Sequence, residues 1–370
     1  MPHSSAKKII VALSGGVDSA VAALLLKRSG HAVEGLHMTN WEDDDGYCTA
    51  ARDYQDARQV CAELDIPLHH VNFAAEYRAQ VFADFLREYA AGRTPNPDVL
   101  CNREIKFGAC LDYARRLGAD AVATGHYART KDGRLFRAAD ESKDQSYFLH
   151  AVSRDALRHA LFPLGEMRKD EVRRLATDAG LPVYDKRDST GICFIGERPF
   201  REFLGQYLPQ EPGDIEASDG TFVGRHVGLA FYTLGQRQGI GIGGRRDRDG
   251  DPWYVAGKDP ERNVLLVAQG RGHPALWASG LVTERPHWIA GAPREPRCTL
   301  KTRYRQDDVD GLLAVHDDAL EVTFDAPQWA VTPGQFAVFY AGDECLGGAV
   351  IAQAHGGAAT RLTASRSVTA

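Results

Sequence analysis

Apolar runs and helical repeats alternate along the first third of the chain. Strand-like runs occupy 8–13, 32–38, 68–73 and 120–124. Between them Tyr54, Ala57, Cys61 and Leu64 recur at helical spacing, as do Val81, Phe82, Phe85, Leu86 and Tyr89, then Phe107, Leu111, Ala114 and Leu117. This alternation predicts a parallel α/β sheet covered on both faces. In such sheets ligands collect beyond the carboxyl ends of the strands. Residues 166–180 predict a further helix, with Met167, Val172, Leu175 and Ala176 inward and Arg168, Lys169, Arg173 and Arg174 exposed. Beyond about 205 the pattern shortens to β-rich segments, among them 253–255, 264–267, 320–324 and 336–340. Pairs such as Pro212-Gly213, Asp219-Gly220, Asp249-Gly250, Asp310-Gly311 and Pro333-Gly334 read as the turns between them. The expected organisation is an α/β domain at 1–205, a central β-rich domain at 206–274, a C-terminal β domain at 275–355 and a small polar tail at 356–370, expected to be disordered.

Composition narrows the class. With 44 Lys+Arg against 50 Asp+Glu in 370 residues, the formal charge of −6 disfavours a nonspecific polyanion binder. A local basic groove remains compatible with it. No run of eighteen apolar residues and no apolar leader occurs, so a cytoplasmic protein without membrane contact is expected. The seven cysteines are scattered and contain no C-x-x-C, which fits neither a disulfide framework nor a zinc site; no bound metal is expected from them.

Chemistry first shows at Ser14-Gly15-Gly16-Val17-Asp18-Ser19, set between an apolar strand and an apolar helix. Two glycines permit a tight turn, and the helix N-terminus directs N–H groups at one point, so the segment reads as a phosphate cradle. It lacks the Lys of a Walker A loop. The segments at Met38 and at Thr124-Gly125-His126-Tyr127 end two other strands and are expected to share the pocket. Gly239-Ile240-Gly241-Ile242-Gly243-Gly244 spells a dinucleotide motif but lacks the strand and helix that give the motif meaning.

The cysteines divide by context. Cys61 and Cys110 fall on apolar helix faces, and Cys298 and Cys345 in β-rich segments, where a small hydrophobe is the simple reading. Cys48 lies near three aspartates that disfavour its thiolate. Cys101 closes a proline-interrupted loop, with Arg103 and Lys106 following at the start of the next helix. Cys193 is preceded by Lys186-Arg187 and followed by Arg198. Lowering a thiol pKa from about 8.5 to about 7 makes roughly half of it thiolate at neutral pH. The residues alone leave open a catalytic pair, a redox disulfide, or two thiols that never meet.

The phosphate loop, Asn40-Trp41, GRTPNPDVLCNREIKF at 92–107, residues 124–127, KDQSYF at 143–148, DSTGICFIGER at 188–198, residues 234–244 and KTRYRQ at 301–306 together resemble the bacterial tRNA-specific 2-thiouridylases. These enzymes replace the C2 oxygen of uridine 34 with sulfur. The resemblance implies a doubly wound, adenine-nucleotide α-hydrolase-like (PP-loop) domain, a small β domain and a C-terminal β-barrel. It implies that Ala12, Leu13, Ser14, Gly15, Gly16, Val17, Asp18 and Ser19 hold the phosphates of ATP, accompanied by Mg²⁺. Met38 and Gly125 would line the adenosine pocket, and Asn96, Pro97 and Asp98 would meet the target base. Cys101 would be the nucleophile, Cys193 the persulfide carrier, and Asp98 a proton handler. Lys143, Asp144, Gln145, Arg303 and Tyr304 would contact tRNA. The implied partners are tRNAs for Lys, Glu and Gln and a persulfide donor or relay protein. A ligase adenylating a small metabolite and a non-enzymatic RNA-binding module are the competing readings.

Overall fold

A computed structural model describes residues 6–42, 50–187, 198–242 and 251–356. Strands β1 (Lys8–Ala12), β2 (Ala32–Thr39), β3 (Leu68–Asn72) and β4 (Ala121–Ala123) pair in parallel with a two-residue strand at Ala160–Leu161, in the order β3-β2-β1-β4-(160–161). The last strand is too short to leave a periodic signature. Ile10 enters one buried cluster, while Ile9 and Val11 enter another. Successive side chains of one strand thus feed two cores, the property that sandwiches a parallel sheet between helices. Helices α1 (Val17–Arg28) and α2 (Ala50–Glu63) supply one cover. The other comes from helical residues 74–90 and 97–116, with π-type turns at Arg78–Phe82 and Cys101–Ala109. The predicted fourth helix is present at Lys169–Asp178.

Strands Gly213–Ala217, Phe222–His226, Trp253–Asp259 and Val264–Gln269 form a separate four-stranded sheet. In the last part, Trp277–Thr283, Ala319–Trp329, Val309–His316, Arg297–Lys301, Phe336–Ala341 and Glu344–His355 pair in that order. The last pairs back onto the first, which closes a barrel. A hairpin, Arg129–Lys131 with Arg134–Phe136, leaves the α/β part and joins the barrel sheet along Glu344–Cys345. Its three-residue, charge-rich strands carry no hydrophobic alternation, so the pattern did not announce it.

One expected turn is a strand. Asp310-Gly311 lies inside Val309–His316. A Cβ on Gly311 would sit 3.0 Å from Leu300 Cδ2 and 3.2 Å from Thr323 O, so this glycine serves close cross-strand packing and not reversal of the chain. Asp249-Gly250, and the expected tail from 357 onward, lie outside the described residues.

Candidate active site

The phosphate loop joins β1 to α1. Gly15 has φ +73°, and a Cβ there would meet Asp53 O at 2.4 Å, so only glycine fits. Gly16 is the N-cap of α1. Ser14 N donates to Ser19 Oγ (3.2 Å), and Ser19 Oγ donates to Gly16 O (3.1 Å), which folds the loop on itself. At β4, a Cβ on Gly125 would lie 2.6 Å from Ser19 N and 3.0 Å from Asp18 Cβ. The end of β4 therefore rests directly on the first turn of α1. Met38, half-buried, is the penultimate residue of β2, the strand paired with β1. β2 and β4 flank β1 in parallel, so their carboxyl ends lie at the same edge of the sheet as the loop, and the glycine-bounded cradle with its helix N-terminus suits a polyphosphate.

Asp18 is committed. Lys169 Nζ donates to both of its oxygens (2.8 and 2.7 Å), and Tyr127 OH donates to Oδ1 (2.9 Å). Lys169, expected on the exposed face of its helix, is instead drawn inward by this half-buried carboxylate. Among the described residues no group of three His, Cys, Asp or Glu side chains converges to hold a metal ion.

Cys101 sits differently from its expected place. Asn96 Oδ1 accepts from Asp98 N (3.3 Å) and caps a helix that starts at Pro97, a position where proline costs no hydrogen bond. Cys101 therefore lies inside that helix and not in an open loop, and it is buried at 3% exposure. Arg103, expected to favour its thiolate, is paired with Glu104 (2.6 Å). Lys106 is the cation that acts inward, on Asp98 and on His126. Burial raises the Asp98 carboxyl above its ordinary range, and Lys106 offsets this in part. Burial pushes His126 well below its ordinary value, with Lys106 adding to the effect, so the ring is neutral. His126 Nδ1 lies 2.8 Å from Thr124 Oγ1 and follows Gly125 in the chain. The Asp98–Lys106–His126 cluster thus adjoins the β4 end that rests on the phosphate loop. The sequence reading included His126 only as part of a segment. Cys193 and Cys48 lie outside the described residues.

The approach to the Cys101 helix is held from two other domains, which sequence reasoning missed. Lys258 Nζ donates to Gly92 O (2.8 Å), Gln335 Nε2 to Thr94 O (2.8 Å), and Thr94 N to Pro333 O (3.0 Å). Arg93 bridges Glu88 and, at 2.7 Å, Glu284. Burial pushes the Lys258 ammonium down to about 7. A lysine ending the run Tyr254-Val255-Ala256-Gly257 was the available hint.

KDQSYF and KTRYRQ meet at the domain joint. Asp144, expected at an RNA surface, is buried and accepts from Ala138 N (3.0 Å) and from Ser146 N and Oγ (3.2 and 2.8 Å). Gln145 Oε1 accepts from Tyr127 N (3.0 Å). Arg303 turns Nη2 inward to Leu234 O, Ala330 O and Thr332 Oγ1 (2.8, 2.8 and 2.7 Å). The Tyr304 ring packs on Phe148 at 4.4 Å, and Asn102 Nδ2, next to Cys101, donates to Phe148 O (3.1 Å). Lys143 is half-buried. Asp144 and Nη2 of Arg303 thus hold the joint from within. The bland reading of the remaining thiols holds: burial raises Cys61 to about 11, Cys110 and Cys298 to about 12, and Cys345 further still.

Three domain families match the chain: the tRNA methyl transferase HUP domain at 7–197, the tRNA methyl transferase PRC-barrel domain at 201–269 and the aminomethyltransferase beta-barrel domain at 278–351. A Salmonella typhimurium protein named tRNA-specific 2-thiouridylase MnmA is 57% identical over 362 residues, 94% of this chain and 98% of its own. The chain belongs to the tRNA-specific 2-thiouridylase family. An Escherichia coli relative of the same name matches to the same extent. Among solved structures, the U34-tRNA thiolase NcsA of Methanococcus maripaludis is 20% identical over 54% of this chain and 63% of that one, with a TM-score of 0.35. The expected α/β PP-loop domain, small β domain and C-terminal barrel all stand. No helix among the described residues is long and apolar enough to cross a membrane.

Proposed function

We propose that this protein thiolates C2 of uridine 34 in tRNA, using ATP to activate the base and a cysteine persulfide to supply sulfur. The observation that carries this reading is the meeting of two structures. Asp98 and Cys101 occupy the first turns of one helix, and their Lys106–His126 neighbours adjoin the strand end that rests on the phosphate loop. The 57% identity to proteins named tRNA-specific 2-thiouridylase supports it.

A carbonyl oxygen is a poor leaving group. Attack of the uridine O2 on the α-phosphorus of ATP would release pyrophosphate and convert that oxygen into part of AMP. Residues 12–19 would hold the phosphates through N–H and hydroxyl donors. Mg²⁺ would arrive on the triphosphate, since Asp18 is already paired. Met38 and Gly125 would bound the adenosine, and Asn96, Pro97 and Asp98 the base. Cys193, carrying S–SH, would then be attacked at its inner sulfur by the Cys101 thiolate. That step releases hydrosulfide and leaves a Cys101–Cys193 disulfide. Hydrosulfide adds at C2 and AMP departs; two electrons from an external reductant restore both thiols. In the alternative order the terminal sulfur attacks C2 itself and Cys101 resolves the product, with the same disulfide left behind. Asp98, its carboxyl raised by burial, would be the group that exchanges the proton.

Lys143, Gln145 and Tyr304 would face the RNA, backed by Asp144 and Arg303. An anticodon loop offers the unstacked base this chemistry needs. Substrate tRNAs for Lys, Glu and Gln, a persulfide donor or relay protein, and a cytoplasmic setting complete the reading. Incubating the protein with ATP, Mg²⁺, a persulfide donor and each unmodified tRNA tests it. Mercury-gel retardation with matching pyrophosphate release is expected. Pyrophosphate release that does not depend on tRNA, without retardation, would favour a small-molecule ligase.

A further inference from the structure

Lys186 precedes Cys193 by seven residues and was expected to serve that thiol. Its ammonium instead reaches the phosphate loop. Lys186 Nζ donates to Gly15 O (3.0 Å) and to Asp53 Oδ1 (2.8 Å), and it also bonds Asp56 Oδ2. Burial pulls its pKa down, but hydrogen bonds to Asp53 and Asp56 outweigh burial and the net shift is upward, so the group is charged. Arg173 Nη1 holds the Lys186 carbonyl (3.4 Å), fixing the backbone from which the side chain extends.

We propose that Lys186 is a positioning residue for the phosphate loop, holding the Gly15 carbonyl to the rear so that the Gly16 N–H faces the pyrophosphate end of ATP. This inference rests on the reading that residues 12–19 hold the phosphates. The described residues contain no cis peptide bond. In a trans peptide the C=O of one residue and the N–H of the next point in opposite directions. Drawing the Gly15 carbonyl towards Lys186 therefore turns the Gly16 N–H the other way. Gly16 is the N-cap of α1, where N–H groups lack intrahelical acceptors and gather an anion.

The Leu13–Ser14 peptide, two before it, is also held by side chains. His37 Nδ1 bonds Leu13 O (3.0 Å), while Ser14 N donates to the Ser19 hydroxyl. Side chains thus hold two of the loop's carbonyls, those of Leu13 and Gly15. The seat of α2 beneath Gly15, where Asp53 O would meet a Cβ at 2.4 Å, keeps Lys186 and its two carboxylates in register with the loop. The loop carries no lysine of its own. Here a cation from elsewhere in the chain acts on the loop's carbonyl, and so orders its donors before ATP arrives.

Hydrogen exchange of the full-length, nucleotide-free protein tests this, read by mass spectrometry on peptides spanning 12–20. It is paired with calorimetric binding of pyrophosphate and of AMP. Lys186→Met should speed exchange at 12–20 without speeding it in the barrel. It should weaken pyrophosphate roughly tenfold, about 1.4 kcal/mol, while AMP binding stays near wild type. Lys186→Arg should restore most of both. Asp53→Asn, which loosens the ammonium without removing it, should shift exchange in the same direction by less, and it carries the test if Lys186→Met does not fold. Unchanged exchange at 12–20 overturns the proposal, even with pyrophosphate binding lost, because Lys186 would then contact the ligand directly. Gly15→Val separates the two levels of inference. If it loses pyrophosphate while Lys186→Met does not, only the Lys186 role falls. If it binds pyrophosphate like wild type, the phosphate-loop reading falls and this proposal with it.

Discussion

At Asp98 function and stability pull in opposite directions. Its carboxyl is raised by burial, so its ionised form burdens the folded state. The sign follows from linkage: the folded protein holds this proton more tightly than the unfolded chain. The stability it contributes is complete below the unfolded pKa and is lost as pH rises through the folded one. Asp98→Asn should therefore leave the melting temperature at pH 7 unchanged or higher, while thiolation falls by on the order of 10²–10⁴ as expected for lost proton transfer. Thermal melts beside single-turnover rates check this, and a stability loss as large as the activity loss would refute it. Cys101, at 3% exposure, is shielded from solvent. Alkylation by iodoacetamide should be slow in the free protein and faster once tRNA and ATP are bound, measured by peptide mass spectrometry.

The decisive element is the stretch from Gly92 to Cys101, suspended between three domains. Lys258 supports its start, and burial holds that ammonium at about 7 against an ordinary 10.5. Because the folded pKa is depressed, the folded state gains stability as pH climbs from about 7 towards 10.5, by at most about 1.4 kcal/mol per pH unit. Lys258→Met should flatten that rise. Its melting temperature relative to wild type should be most favourable near pH 6–7 and decline towards pH 9, and its thiolation rate should drop at every pH through loss of the Gly92 anchor. Much of this region was legible in the sequence. The strand–GG–helix context located the phosphate loop, and apolar periodicity located the helices around Cys61 and Cys110. The start of the Cys101 helix was misjudged because two prolines read as loop, although Pro97 at a helix's first position fits as well as in a turn. The clamps from Lys258 and Gln335 were illegible for another reason. They join residues 166 and 241 positions apart, and no local pattern encodes such pairings.

Across the whole molecule, an acidic chain is proposed to bind a polyanion. We propose a local resolution: Lys143, Gln145 and Tyr304, each partly exposed, would meet tRNA at the joint of KDQSYF and KTRYRQ, while Arg303 ties the central domain to the barrel from within. If tRNA docks through phosphates, five such contacts would weaken binding on the order of 10²–10³ between 50 and 200 mM salt. Filter binding at graded salt should show that slope, with AMP binding nearly flat over the same range. Arg303→Ala should reduce tRNA affinity and lower the melting temperature, since it frees three acceptors at the domain joint. The barrel's use of the 129–136 hairpin ties it to the α/β domain, so RNA held by the outer domains, as proposed, would be registered against the Cys101 helix. The most direct test of the account is a single turnover with persulfide-loaded protein, ATP, Mg²⁺ and unmodified tRNA, without reductant. Quenched samples are digested and read for 2-thiouridine and for cysteine linkages. The account predicts a Cys101–Cys193 disulfide in equal amount to the 2-thiouridine formed; thiolated tRNA accumulating while both cysteines remain reduced would contradict it.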